Sequence, residues 1–130
     1  MKKYIVFSIV LIIAMTIPFS SGAICDVPST PSKPSGEAYG TIDAWVTLSI
    51  PAVEGATCYE WDISGGNYII ISSEYTNENG PSGTWLQIEP TDCISYIYPL
   101  SYSIKVRAQN SCGSSSWSQV KNYNSYCPYW

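Results

Sequence analysis

Tyr102-Ser103-Ile104-Lys105-Val106-Arg107-Ala108-Gln109-Asn110-Ser111-Cys112-Gly113-Ser114-Ser115-Ser116-Trp117-Ser118 is the stretch whose reading decides the fold. Tyr102, Ile104, Val106 and Ala108 alternate with Ser103, Lys105, Arg107 and Gln109, the period of a strand that buries one face and wets the other. Asn110 to Gly113 then supplies residues that tolerate left-handed backbone. The chain is expected to turn there and return past Trp117 and Val120 as a hairpin.

Upstream, the same period recurs. Val46, Leu48 and Ile50 alternate with Thr47 and Ser49 until Pro51 stops the run. After the turn Val53-Glu54-Gly55-Ala56, Tyr59, Trp61 and Ile63 face one way and Cys58, Glu60 and Asp62 the other. Ser64-Gly65-Gly66-Asn67 has the glycines for a tight hairpin into Tyr68 to Ser72. There Ile69, Ile70 and Ile71 do not alternate, so that strand is expected either to be covered on both faces or to contain a bulge. Ser73 to Gly83 reads as a polar connection. Trp85 to Ile88 is a short strand ended by Pro90, and Thr91 to Leu100 crosses back to the Tyr102 strand. Outside the first residues no segment has a helical period, which makes the chain all-β.

Met1-Lys2-Lys3 followed by the apolar run Tyr4 to Phe19 predicts a secretory signal, with cleavage after Ala23. The rival, an uncleaved anchor, needs roughly 20 apolar residues, and the run falls short of that. Ile24 before Cys25 is not the small residue a lipoprotein signal carries. What remains of the 130 residues is 107, enough for one domain and too little for two. Its four basic residues face ten acidic ones, a net charge of −6, which opposes binding to nucleic acid. Pro28, Pro31 and Pro34 give 24–36 the look of an extended lead-in. A polyproline ligand would show the same spacing. The expected organisation is a signal peptide over 1–23, a Pro-rich lead-in over 24–36 and a β-sandwich domain over 37–130, with no membrane span after cleavage.

The Tyr-x-Ile-x-Val-x-Ala-x-Asn strand, the Gly-containing turn and Ser116-Trp117-Ser118 resemble the last two strands of a fibronectin type III domain. The Asn-x-Cys-Gly turn and Gly55-Ala56-Thr57-Cys58-Tyr59-Glu60-Trp61 resemble equally the PKD-like modules of secreted bacterial proteins. Both resemblances imply an immunoglobulin-like β-sandwich of about seven strands with no single activity attached to it. They imply a pairing of Glu60 and Asp62 with Lys105 and Arg107 across neighbouring antiparallel strands, and a cation–π contact of Arg107 with Trp117. Pro99 stands three residues before Tyr102, a departure from the Leu-x-Pro-x-Thr-x-Tyr approach with which fibronectin type III domains enter the tyrosine corner.

The chain has no histidine, so the usual general base and the commonest zinc ligand are missing. Glu60 and Asp62 share a strand face in the manner of a glycosidase pair, but the implied cross-strand ion pairs are the better account of them. Glu74, Asn77, Glu78 and Asn79 lack the spacing of a calcium loop. No cofactor is expected. The five cysteines, spaced by 33, 35, 19 and 15, contain no Cys-x-x-Cys, and secretion favours disulfides over metal. The resembled fold puts Cys25, Cys58 and Cys112 at one pole and Cys93 and Cys127 at the other. It thereby implies Cys93–Cys127 and Cys58–Cys112 bridges, with Cys25 as an odd thiol that is free, pairs with another chain, or competes with Cys58 for Cys112.

Five Trp and ten Tyr beyond the signal exceed what one small core takes, and Tyr123, Tyr126 and Tyr129 are counted in the excess. Trp45, Trp85, Tyr96 and Tyr98 are the first candidates for exposed ligand-binding aromatics. The sequence therefore predicts a secreted or cell-surface, non-catalytic module that binds protein or glycan. A structural spacer is the alternative, and a glycoside hydrolase a distant third.

Overall fold

The computed structural model describes residues 24–72, 75–76 and 80–129. The expected signal peptide over 1–23 lies outside the described residues, as do Glu74, Asn77, Glu78 and Asn79. Among the described residues ten strands follow in order: β1 Tyr39–Thr41, β2 Val46–Ser49, β3 Cys58–Ser64, β4 Tyr68–Ser72, β5 Tyr75–Thr76, β6 Gly80–Pro81, β7 Trp85–Pro90, β8 Leu100–Asn110, β9 Gly113–Ser114 and β10 Lys121–Tyr126. One sheet runs β1-β10-β8-β3 with β9 on β8, a second runs β2-β7-β4, and β5 pairs with β6. With β2, β7 and β4 in one layer and β3, β8 and β10 in the other, the topology is that of a constant-type immunoglobulin sandwich. β1 adds a parallel strand beside β10.

The alternating residues make this core. Tyr102, Ile104, Val106 and Ala108 of β8 are fully buried, with Val46 and Leu48 of β2, Leu86 and Ile88 of β7, Tyr59 and Trp61 of β3, and Tyr123 of β10. Each large side chain so placed contributes about 1.5–3 kcal/mol. Trp61 keeps its indole satisfied inside, donating to the Gly83 carbonyl at 2.9 Å.

The Ser64 to Asn67 turn does not close a hairpin. β4 pairs with β7, not β3, so the chain crosses between the sheets. Contacts from distant parts of the chain hold it there. Gly65 stands at φ +138°, and a side chain there would meet the Ser101 carbonyl at 2.7 Å. Asn67 is pinned from three sides: its carbonyl accepts from Tyr102 Oη at 2.9 Å and from Thr91 N–H at 3.0 Å, and its own N–H donates to Asp92 at 2.7 Å. The Tyr102 hydroxyl thus ties β8 to the β3–β4 crossing, 35 residues upstream, instead of forming a tyrosine corner. β4 is an edge strand with neither both faces covered nor a bulge: Ile70 turns inward while Ile69 and Ile71 face solvent.

At the other end of β8 the turn is as expected. Asn110 pairs with Gly113, and the Asn110 Oδ1 accepts from the N–H groups of Cys112 at 2.8 Å and Gly113 at 3.2 Å. The return past Ser115 to Ser118 is irregular, but two serine hydroxyls stand in for ladder carbonyls. Ser115 Oγ accepts from Ala108 N–H and Ser118 Oγ from Val106 N–H, each at 3.0 Å. Between them Trp117 projects over the wet face of β8, where Arg107 lies 4.6 Å and Lys105 4.9 Å from its ring.

The lead-in is part of the sandwich. Prolines three apart share one side of an extended left-handed chain, and Pro28, Pro31 and Pro34 are all buried. Ser35 bridges Ser49 of β2 through two backbone hydrogen bonds of 2.9 and 3.0 Å.

Candidate recognition cleft

The charged candidates are consumed by the sheet. Glu60 stands opposite Arg107 and Asp62 opposite Lys105. Arg107 Nη2 approaches Glu60 Oε2 at 2.6 Å, Arg107 Nε donates to the same oxygen at 2.7 Å, and Gln109 Nε2 does so at 3.0 Å. Lys105 meets Asp62 at 3.4 Å. Glu60, Asp62, Lys105, Arg107, Gln109 and Trp117 thus form one ladder on the outer face, with Glu60 already accepting three contacts. Among the described residues no group of acidic, histidine or cysteine side chains is placed to hold a metal ion.

The cysteines correct one expectation. Cys93 is bonded to Cys127 across a Cα–Cα distance of 5.3 Å, while Cys112 is bonded to Cys25 and not to Cys58. Cys58 opens β3 opposite Gln109, three residues short of Cys112 at the turn, and its half-buried thiol donates to Gln109 Oε1 at 3.6 Å. The lead-in reaches the turn instead, because Asn110 Nδ2 donates to the Asp26 carbonyl at 2.8 Å and holds Cys25 beside Cys112. The two bridges therefore sit at opposite ends of β8.

The aromatic surplus divides. Tyr59 and Tyr102 are core, and so is Tyr123, which the sequence reading had counted in the excess. Burial pushes the Tyr102 phenol up from its ordinary pKa, with Asp92 adding to the shift. Burial does the same to Tyr123, with Glu37 and Tyr102 adding to it. Of the four expected binding aromatics, Tyr96 and Tyr98 stand exposed in the β7–β8 crossing. Trp45 is partly exposed just before β2, and Trp85 opens β7 opposite Ser49, at the far end of β2 from Trp45. They do not form one cluster.

What the structure does assemble is an open groove of about 860 Å³ beside the Cys93–Cys127 bridge. That volume lies within the usual range of ligand sites. Its walls are Tyr39 and Thr41 of β1, Tyr96 and Ile97 of the crossing, and Tyr126 and Tyr129 at the end of β10. Tyr39, Tyr96 and Tyr129 are all more than half exposed, and the rings of Tyr96 and Tyr129 stack at 5.6 Å with a 47° tilt. β1 can approach closely here because Gly40 faces the Tyr123 hydroxyl, with which any side chain at that position would collide. Sequence reasoning put Tyr96 among the first candidates, counted Tyr126 and Tyr129 only in the aromatic excess, and passed over Tyr39. The available signal was their distance from bonded cysteines: Tyr96 lies three residues after Cys93 and Tyr129 two after Cys127, so the bridge that joins the cysteines also gathers the tyrosines.

No family model matches the chain, and no curated protein does. Solved structures do. The crystal structure of FN3tt aligns with a TM-score of 0.51 at 18% identity, covering 79% of this chain and 99% of that one. The solution structure of the fibronectin type III domain of human fibronectin type III domain containing protein 3 aligns at 0.50 and 24% identity, covering 85% of this chain and 94% of that one. With two sheets, no helix among the described residues and these neighbours, the chain has the fibronectin type III fold, an immunoglobulin-like β-sandwich.

Proposed function

We propose that this protein is a non-catalytic recognition module, exported from the cytoplasm, that binds a protein or glycan through the tyrosine-lined cleft beside Cys93–Cys127. The observation that carries the reading is the cluster of exposed Tyr39, Tyr96 and Tyr129 around an open cleft. Solvated aromatic rings cost free energy to leave uncovered, and they supply large contact area at small entropy cost when a partner arrives. A spacer domain has no need of them. Two disulfides support an oxidising compartment, in line with the signal read at 1–23. The Asn-x-Cys-Gly turn is what supports a bacterial, PKD-like source.

The test is a glycan array and a surface-proteome pull-down, run with the native protein and with Tyr96→Ala and Tyr129→Ala. Retention of a ligand by the native protein and its loss by both variants is the expected result. A ligand retained by both variants would move the site elsewhere, and no ligand at all in either screen would leave the spacer as the better reading.

A further inference from the structure

One wall of the cleft is an open sheet edge. Among the described residues β1 ends its sheet and pairs only with β10. In a parallel ladder alternate residues turn their N–H and C=O groups toward the neighbouring strand. Ala38 accepts from Asn124 N–H at 2.9 Å and Ile42 donates to the Tyr126 carbonyl at 3.1 Å, so Ala38, Gly40 and Ile42 serve the ladder. Tyr39 and Thr41 consequently turn their backbone groups the opposite way, and no partner for those groups is found among the described residues. Unpaired edge groups are a template for another strand.

Charge sets the ends of that template. Glu37 stands two residues before Tyr39 and Asp43 two after Thr41; both are exposed, and neither is in an ion pair among the described residues. Between them the cleft is lined by no charged side chain. We propose that the β1 edge receives an extended segment of a partner protein as an added strand. Alternate apolar side chains of that segment lie on Tyr39, Tyr96 and Tyr129, and a Lys or Arg at each end faces Glu37 and Asp43. The inference rests on the recognition reading of the cleft and narrows it from protein or glycan to a strand-forming peptide.

The test uses isotope-labelled protein with both disulfides formed. The probes are three capped peptides: alternating Val and Thr with a Lys at each end, the same with Glu at each end, and the Lys peptide N-methylated at alternate amides. The Lys peptide is expected to shift and protect the Tyr39 and Thr41 amides. The Glu peptide should bind roughly threefold to tenfold more weakly, the scale of two exposed ion pairs, and the N-methylated one not detectably. Thr41→Pro removes one outward N–H without touching the β10 ladder and should abolish the effect. Equal binding of the N-methylated peptide, or no response of the β1 amides to the Lys peptide at millimolar concentration, overturns strand addition. Concentration-dependent protection of those amides without peptide would give the edge to a second copy, and also overturns it. An oligosaccharide that shifts Tyr96 and Tyr129 but not the β1 amides would sink this inference while leaving the recognition reading standing. Failure of every ligand at the cleft would sink both.

Discussion

The two poles of the sandwich carry the same covalent device for different ends. At one, Cys25–Cys112 ties down a segment that is already packed: Pro28, Pro31 and Pro34 are buried, and Asn110 binds the Asp26 and Gly55 carbonyls. At the other, Cys93–Cys127 spans the same 5.3 Å between Cα atoms but gathers side chains that remain in water, Tyr96 and Tyr129 among them. A bridge at the head of a segment whose prolines are buried adds to a stability the packing already supplies. A bridge under exposed rings fixes a surface that packing does not explain, and this is why the cleft, not the capped pole, is read as the site.

Removing each bridge should separate these roles and gives the largest expected effects. The chain-entropy estimate for loops of 87 and 34 residues is about 4.6 and about 3.8 kcal/mol. Cys25→Ser with Cys112→Ser should lower the unfolding free energy by the larger amount and leave cleft binding intact at a temperature where the domain stays folded. Cys93→Ser with Cys127→Ser should cost slightly less stability and lose the binding. Chemical unfolding with a ligand titration reads both, and loss of binding in both variants would erase the contrast between the poles. Peptide mapping without reduction should first link Cys25 to Cys112, with Cys58 open to alkylation.

Asn110→Ala comes next. Its side chain accepts from two turn N–H groups and donates to two carbonyls, so a loss of about 1–3 kcal/mol is expected at the capped pole. Hydrogen exchange should rise around Asp26 and Cys112 and stay unchanged at Tyr126. A rise at both ends would mean that β8 transmits the change along its whole length.

Much of this was legible. Period-two alternation in Val46 to Ile50, Tyr59 to Trp61 and Tyr102 to Ala108 selects the same residues that the core buries, with Ile63 half-buried at its edge, because one face of a strand points inward. Pairing across strands was legible where charge repeats the period, as in Glu60 with Arg107. Sheet membership of β4 was not, because Gly65-Gly66 suits a crossing as well as a hairpin, and the deciding contacts of Asn67 with Thr91, Asp92 and Tyr102 come from 24 or more residues away. The Cys25 partner stayed one of three alternatives for the same reason: a proline-rich segment reads as extended without saying what it lies against. The cleft was half visible, since an excess of tyrosine is a matter of composition but their meeting point depends on which cysteines bond.

The interior near the cleft offers a smaller effect. Tyr102 and Tyr123 both titrate above their ordinary value, so the unfolded chain loses these phenolic protons first as pH rises. Their contribution to stability is then complete below about pH 10 and falls as pH climbs through the raised folded values. Alkaline unfolding should begin at the Cys93–Cys127 pole, where the two rings meet, while the Asn110 turn keeps its amide protection. The two hydroxyls differ. Tyr102→Phe forfeits the bond to Asn67 and should cost about 0.5–1.5 kcal/mol at neutral pH. Tyr123→Phe removes a buried hydroxyl with no partner among the described residues and should cost nothing or stabilise. Equal losses from both would show that the Tyr123 hydroxyl is satisfied, by a buried water for example.

The smallest expected effect is the most informative about the cleft. Tyr129 is 83% exposed, and its ring meets that of another exposed tyrosine, Tyr96. Truncation of a side chain that buries so little surrenders little transfer free energy, so Tyr129→Ala and Tyr98→Ala should each stay within about 0.5 kcal/mol of the native protein. At the capped pole, Pro31→Ala removes a buried ring and also frees the unfolded backbone, and it should cost more than either tyrosine. Thermal melts of the three variants side by side make the comparison independent of any ligand. Should Tyr129→Ala destabilise as much as Pro31→Ala, the tyrosines would be cover for the Cys93–Cys127 bridge, the two poles would be alike, and the spacer reading would gain what the recognition reading lost.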